Sequence, residues 1–434
     1  MFYLKLAVKS IIERRRQYKS LFAVCAVGIC LILSSLMITD GMIGSMNEKA
    51  RQYYGGDVQF LGGSTLEKSV EQAEAERDYI YSCLKDEDVV VINRFNHDAS
   101  NDSYYFEGTS VRQRSIIGVD FDNEKPLFEK FTFVEGSFNK SSDNVVSGDE
   151  YGSVLLAEPI AKKLGCHAGD IITLCSKTNE GYVNTISLML TGIFQDASVF
   201  GMYTSYVDFN SLMKILDKGN VVDRISIYFK NGIPSGRKIA GLQKKLEQKY
   251  NMYPLGMLKD QFYEQFNNKT EDKYILIPLE ANVSNLKFLV QALQLIVVMI
   301  IILLAVIISV GISSTFRVIV IKRSLESGTL RALGMKPSGV MKVFLAEALV
   351  LLVSGCAVGF TVSVIIVKIT ALFNLSFISG FDLFLTGGML APAMDGIKIS
   401  LLIAVIVVTT LASVLFTLRK LVHVSPVGAI TATT

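Results

Sequence analysis

The 434-residue sequence has no Trp, only 3 His and only 8 Pro, and 19% of it is charged. Each shortage excludes something. His97, His167 and His423 are scattered. No H-E-x-x-H and no paired C-x-x-C occurs, so the common zinc ligand sets are missing. His97 stands beside Asn96 and Asp98, a poor ligand set. Asp120, Asp122 and Glu124 lack the later ligands of a calcium loop, so both groups read as solvated turns. No G-x-x-x-x-G-K-[ST] and no G-x-S-x-G is present, which leaves no nucleotide site or serine nucleophile of those types. The formal net charge of +3 is too small to mark a nucleic-acid binder. Of the 6 Cys, Cys25, Cys30 and Cys356 fall in apolar runs, and Cys83, Cys166 and Cys175 fall in the polar middle. That odd set argues against a disulfide framework, although one bridge from Cys166 to Cys175 stays open. No catalytic residue, bound cofactor or metal is expected of this chain.

What the chain has instead is apolar sequence. Half of it is hydrophobic, the mean hydropathy is +0.40, and the apolar residues are clumped. A helix needs about 20 mostly apolar residues to cross a bilayer. Residues 21–38, 288–316, 340–369 and 399–418 each read as such a span. The first is longer than a signal-peptide core and no A-x-A-like site follows it, so it reads as an uncleaved span. Lys and Arg gather before span one (Lys5, Lys9, Arg14, Arg15, Arg16, Lys19), between spans two and three (Arg317, Lys322, Arg323, Arg331, Lys336, Lys342) and after span four (Arg419, Lys420). Residues 371–396 carry only Asp382 and Asp395. The positive-inside bias puts both termini and the second connection in the cytoplasm, with residues 41–285 outside. Span interiors are read as free of Asp, Glu, Lys and Arg, which argues against an ion-driven pump. Gly355 and Gly359 form a G-x-x-x-G that permits close helix packing, either within the chain or with a second subunit.

The fold class predicted is a membrane protein with four transmembrane α-helices and a large extracytoplasmic α+β domain on a helical stalk. Residues 1–19 read as a basic amphipathic segment, either an interfacial helix or a topology signal. Residues 20–40 form the first span. Residues 42–54 continue it outward as one stalk helix, ending at Gly55-Gly56. Residues 271–287 read as the polar second stalk helix. Between them, strands are expected at 57–61, 89–95, 115–120, 188–194 and 224–229. Residues 153–176 read as strand, helix, Gly-rich turn and strand, with Pro159 opening the helix and Gly165 closing it. Residues 66–84 and 237–250 read as helices. Turns are expected at 101–103 and 134–136. Residues 286–434 form the C-terminal membrane domain, with a coupling loop at 317–339. There, Glu326 to Leu333 predicts a short helix, Gly334 its stop and Pro337 the start of the next. Leu330 and Leu333 share a face that suits a groove on a partner, or else packs on the chain's own bundle.

The order of one span, a large outer domain and three more spans resembles the MacB/LolE-type permeases of ABC transporters, which carry an FtsX-like membrane domain. The stretch LESGTLRALGMKPSGVMKVFLAEALVLLVSGCAVG resembles that family's R-E-x-G-x-L-R-A-x-G motif and following apolar run. Glu326, Gly328, Leu330, Arg331, Ala332, Gly334 and Glu347 fall on matching positions. Pro426 and Ala429 resemble the closing P-x-x-A. Lys322, Leu325 and Ser327 depart from the pattern, a hint of a dedicated ATPase. The resemblance implies a permease without ATPase activity of its own, moved by a separate ABC ATPase dimer that uses ATP. Glu326, Gly328, Leu330, Arg331, Ala332, Leu333 and Gly334 would meet that ATPase. It further implies a second permease subunit, identical or related, a place in the bacterial inner (plasma) membrane and, for some members, a periplasmic carrier or adaptor. The runs IIGVDFDNEKPLF, VEGSF and GIFQDASVFGMY resemble the lipoprotein-releasing branch, so extraction of lipoproteins or lipids leads. Export of a peptide, toxin or drug is the alternative. FtsX-like control of a cell-wall hydrolase, or a receptor without an ATPase, comes after these. The topology is checked by single-cysteine labelling. A cysteine at Lys163 should label from outside and one at Lys336 only from inside, and the reverse pattern would overturn the orientation.

Overall fold

The structure is a computed structural model that describes residues 2–63, 70, 72–139, 151–177, 181–218, 222–257, 261, 264, 272–378 and 380–422. Pro426, Ala429 and His423 lie outside the described residues. The chain divides into a membrane unit (1–42, 290–373 and 390–434) and an α+β unit (43–289 and 374–389).

The membrane unit holds helices long and apolar enough to cross a bilayer. The first membrane helix is Arg15–Tyr54, the second Ser284–Lys322, the third Pro337–Thr370 and the fourth Gly396–Val422. At 1.5 Å per residue, the 40-residue first helix is about 60 Å long, twice a hydrocarbon core. The unit boundary falls inside it, after Met42. A helix at Phe2–Glu13 precedes it. The membrane unit is held by a buried cluster that includes Leu21, Ile29, Leu33, Ile308, Phe316, Phe344 and Leu352. Hydroxyl pairs join the second and fourth helices, Ser309 to Thr410 at 3.2 Å and Ser313 to Ser413 at 2.7 Å. With no apolar driving force inside lipid, such contacts help to set helix register.

Among the described residues the α+β unit contains the strands β1 (Val58–Gly63), β2 (Val89–Asp98), β3 (Ser103–Phe106), β4 (Thr109–Arg112), β5 (Ser115–Val119), β6 (Phe133–Gly136), β7 (Gly152–Ala157), β8 (Ile171–Lys177), β9 (Val183–Phe194), β10 (Thr204–Asp208), β11 (Arg224–Phe229) and β12 (Lys273–Pro278). Their order is β12-β1-β11-β2-β5-β10-β7-β9-β8-β3-β4, with β6 beside β9. Strand β2 serves two neighbours in turn. Val89–Arg94 pairs with β11 and Phe95–Asp98 pairs with β5. Two cores flank this handover. One centres on Val154, Leu155, Leu188, Phe194 and Tyr206, the other on Phe60, Ile225, Ile227 and Leu242.

Arg94 sits at the handover, 1% exposed, and its guanidinium donates to Glu124, itself 0% exposed. It also donates to the carbonyls of Gln52 and Tyr53 at 3.1 Å each. Arg94 Nε lies 2.6 Å from where a Cβ on Gly55 would stand, and Gly55 has φ +79°. Only glycine fits there on both counts.

Several expectations are corrected. Residues 273–278 form a strand, not a helix. Tyr274 and Leu276 enter one core while Ile275 and Ile277 enter another, and two apolar faces at period two make a buried strand. A short helix, Leu279–Asn282, then precedes the second membrane helix. Residues 103–112, for which only the turn at 101–103 was expected, form a β3–β4 hairpin that turns at Glu107 and Gly108, both with positive φ. Residues 133–136 are a strand on β9, not a turn. Glu124 is not in a solvated turn, because burial and Arg94 claim it. Asp120 instead caps the turn, accepting from the amides of Asp122 and Asn123. His97 is likewise not in a turn but on β2, and its Nε2 meets Asp102 at 2.8 Å. All 6 cysteines are free, so Cys166 and Cys175 are not bridged.

Candidate coupling site

Residues 323–336 join the second and third membrane helices. A helix forms at Ser324–Ala332. Its end is a Schellman turn, in which Gly334 N–H donates to Arg331 O at 3.0 Å and Met335 N–H to Leu330 O at 3.0 Å. Gly334 takes the left-handed conformation this turn requires, with φ +93°. Pro337 then sits in the first turn of the third membrane helix. The sequence punctuates this loop as it folds.

The chemistry beneath the helix is less evident from sequence. Glu347 lies ten residues into the third membrane helix and is 0% exposed. This corrects the expectation of charge-free spans. An unpaired carboxylate there would be expensive. Glu347 has partners from the first membrane helix and from the start of the loop. Arg323 Nη1 donates to its two oxygens at 2.9 and 2.7 Å. The Tyr18 hydroxyl, from the first membrane helix, donates at 2.8 Å. Arg323 also donates to Glu326 at 3.0 Å, and Arg14 donates to the same carboxylate. Burial alone would raise the pKa of Glu326, but the hydrogen bonds from Arg14 and Arg323 outweigh it and hold the carboxyl below its ordinary range. The contact is therefore present at neutral pH and is lost only as pH falls through that lowered value. One continuous polar chain, Arg14–Glu326–Arg323–Glu347–Tyr18, thus ties the loop helix to the first, second and third membrane helices. The sequence reading missed Arg323 and Tyr18, and took Glu347 only as a motif position.

The predicted site residues separate into two groups. Glu326 is held by the network. Leu330 packs against the membrane core, so it does not offer itself to a partner together with Leu333. Leu333 is 81% exposed, and Ala332 and Gly334 are exposed beside it. Gly328 and Arg331 are half-buried, and a Cβ on Gly328 would meet open space. Gly355 and Gly359 are packing positions within the chain. A Cβ on Gly355 would lie 2.7 Å from Cys25 Cβ, and one on Gly359 would lie 2.7 Å from Ala26 O. The first membrane helix occupies that groove, so it is not open to a second subunit.

Among the described residues, no cluster of His, Cys, Asp or Glu is arranged to hold a metal. What the loop offers is a small exposed apolar tip mounted on a buried ionic base.

These features define a class first, a multi-pass membrane protein with a large α+β unit. Residues 295–426 match the family described as FtsX-like permease C-terminal. The match covers the second, third and fourth membrane helices and the loop at 323–336, so this part of the chain is similar to an FtsX-like permease C-terminal domain. No curated protein matches the chain. Among solved structures, the periplasmic region of MacB from Actinobacillus actinomycetemcomitans is similar at 10% identity and a TM-score of 0.31, over 55% of this chain and 95% of that one.

The helix packing is testable by thermal unfolding in detergent. Gly359→Leu is expected to cost about 1–3 kcal/mol by forcing the first and third helices apart. Gly328→Ala, which enters open space, should stay within about 0.5 kcal/mol of wild type or stabilise the chain. Equal effects would contradict the packing assignment.

Proposed function

We propose that this chain is the permease subunit that carries ATP-driven motion from a separate ABC ATPase dimer to its own α+β unit. The observation that carries this reading is the network under the 324–332 helix, whose inner members Arg323, Glu347 and Tyr18 are buried. A push on that helix is a push on Glu326 and Arg323, and through Glu347 and Tyr18 on three membrane helices at once. A loosely attached loop would absorb the push instead. The chain hydrolyses no ATP and binds no cofactor. It sits in a bacterial plasma membrane with both termini and the 323–336 loop in the cytoplasm and the α+β unit outside, as the Lys and Arg asymmetry supports. It works with a second permease subunit. Its substrates are lipoproteins or lipids drawn from the outer leaflet and passed to a carrier or adaptor. The runs at 116–128, 134–138 and 192–203 support that branch.

In this reading the contact with the ATPase is the exposed tip at Ala332, Leu333 and Gly334, and Leu330 transmits from behind. Leu333→Asp should lower the amount of ATPase that co-purifies from native membranes about ten-fold, the loss of one apolar anchor, while the chain stays folded. Leu330→Asp should instead lower the chain's own unfolding temperature. Full ATPase recovery with Leu333→Asp would remove the tip from the interface.

A further inference from the structure

The connection between the third and fourth membrane helices carries a second buried ionic centre. Residues 374–389 group with the α+β unit. Within it, Asp382 lies on a short helical turn, Phe381–Phe384. Lys49, near the end of the first membrane helix, reaches it. All three ammonium protons have an acceptor: Asp196 Oδ1 at 2.9 Å, Asp382 Oδ2 at 3.0 Å and the Asp382 carbonyl at 2.8 Å. The Lys49 and Asp196 side chains are 10% exposed and that of Asp382 is 8% exposed. The carboxylates are held in turn. Asp382 accepts from Ala197 N–H at 2.7 Å, and Asp196 accepts from Ser198 N–H at 2.8 Å. Three segments distant in sequence therefore meet on one ammonium. A second contact closes beside it, where Ser45 Oγ and Thr386 Oγ1 are 2.9 Å apart.

The arrangement has more order than packing requires. A dry contact between these segments would be met by apolar side chains without burying three charges. A compact ammonium with three satisfied donors fixes distance and direction together. Removing Lys49 strands two buried carboxylates without a cation, so the centre depends on the ammonium.

We propose that Lys49, Asp196 and Asp382 form a latch that holds the connection between the third and fourth membrane helices to the body of the α+β unit, so that motion of those helices moves the unit. Lys49 and Asp382 are then positioning residues for transport. The latch stays closed through the cycle. This inference rests on the permease reading above.

The test uses the full chain with the ATPase that co-purifies with it, and hydrogen exchange with and without ATP and vanadate. In wild type, ATP and vanadate should change exchange both in the 324–332 helix and in the α+β unit. Lys49→Met should keep the response in the 324–332 helix and lose most of the response in the α+β unit. In the same variant, without nucleotide, exchange in residues 374–389 should rise on the order of a hundred-fold, as expected for a broken buried pair. Asp382→Asn keeps the acceptor for Ala197 and removes only charge, and it should show the same pattern more weakly. An α+β response in Lys49→Met equal to wild type overturns the latch, as does unchanged protection of 374–389. The absence of any nucleotide response in wild type at the 324–332 helix counts against the permease reading instead, and the protection of 374–389 still decides the latch.

Discussion

A carboxylate with no exposure, inside a mostly apolar helix, is the constraint on which the membrane unit depends. Glu347 cannot be charged there alone. It needs Arg323, just past the end of the second membrane helix, and Tyr18 from the first. That requirement fixes three helices against one another at a single depth. It also fixes the start of the 324–332 helix, because Arg323 shares itself between Glu347 and Glu326. The ionic centre is weak grounds for stability, since an apolar replacement could hold the helices as well. What it adds is a direct tie between the loop helix and the bundle.

The α+β unit solves a similar problem in its own interior. Its sheet changes neighbours along β2, and the point of change is filled by Arg94. Arg94 binds Glu124 and also the last carbonyls of the first membrane helix. Lys49, less than two turns before those carbonyls, binds Asp196 and Asp382. The end of that helix is thus held by two buried cations to separate parts of the α+β unit. In each case the cation organises backbone as well as carboxylate, which side-chain packing alone does not do.

Much of this was legible in the sequence. The spans stand out because each is a long apolar run, and the loop between the second and third because Gly334 and Pro337 punctuate it. The strand at 224–229 alternates, and the helix at 158–164 opens at Pro159 and ends at Gly165. What stayed hidden depends on distance along the chain. Tyr18 and Glu347 are 329 residues apart, and Lys49 and Asp382 are 333 apart. No local period reports such pairs. Glu124 looked like one of three acids in a turn until Arg94, 30 residues earlier, was seen to claim it. The stretch at 273–278 looked polar because Lys273 and the acids before it dominated, although Tyr274 to Ile277 are wholly buried in the sheet.

The central claim is that Arg323 and Glu347 act as one unit under the loop helix. A double-mutant cycle on the unfolding free energy measures this most directly. Arg323→Met and Glu347→Met should each cost about 3–5 kcal/mol, since each strands a buried charge, and the double substitution should cost no more than either alone. Costs that simply add would contradict the account.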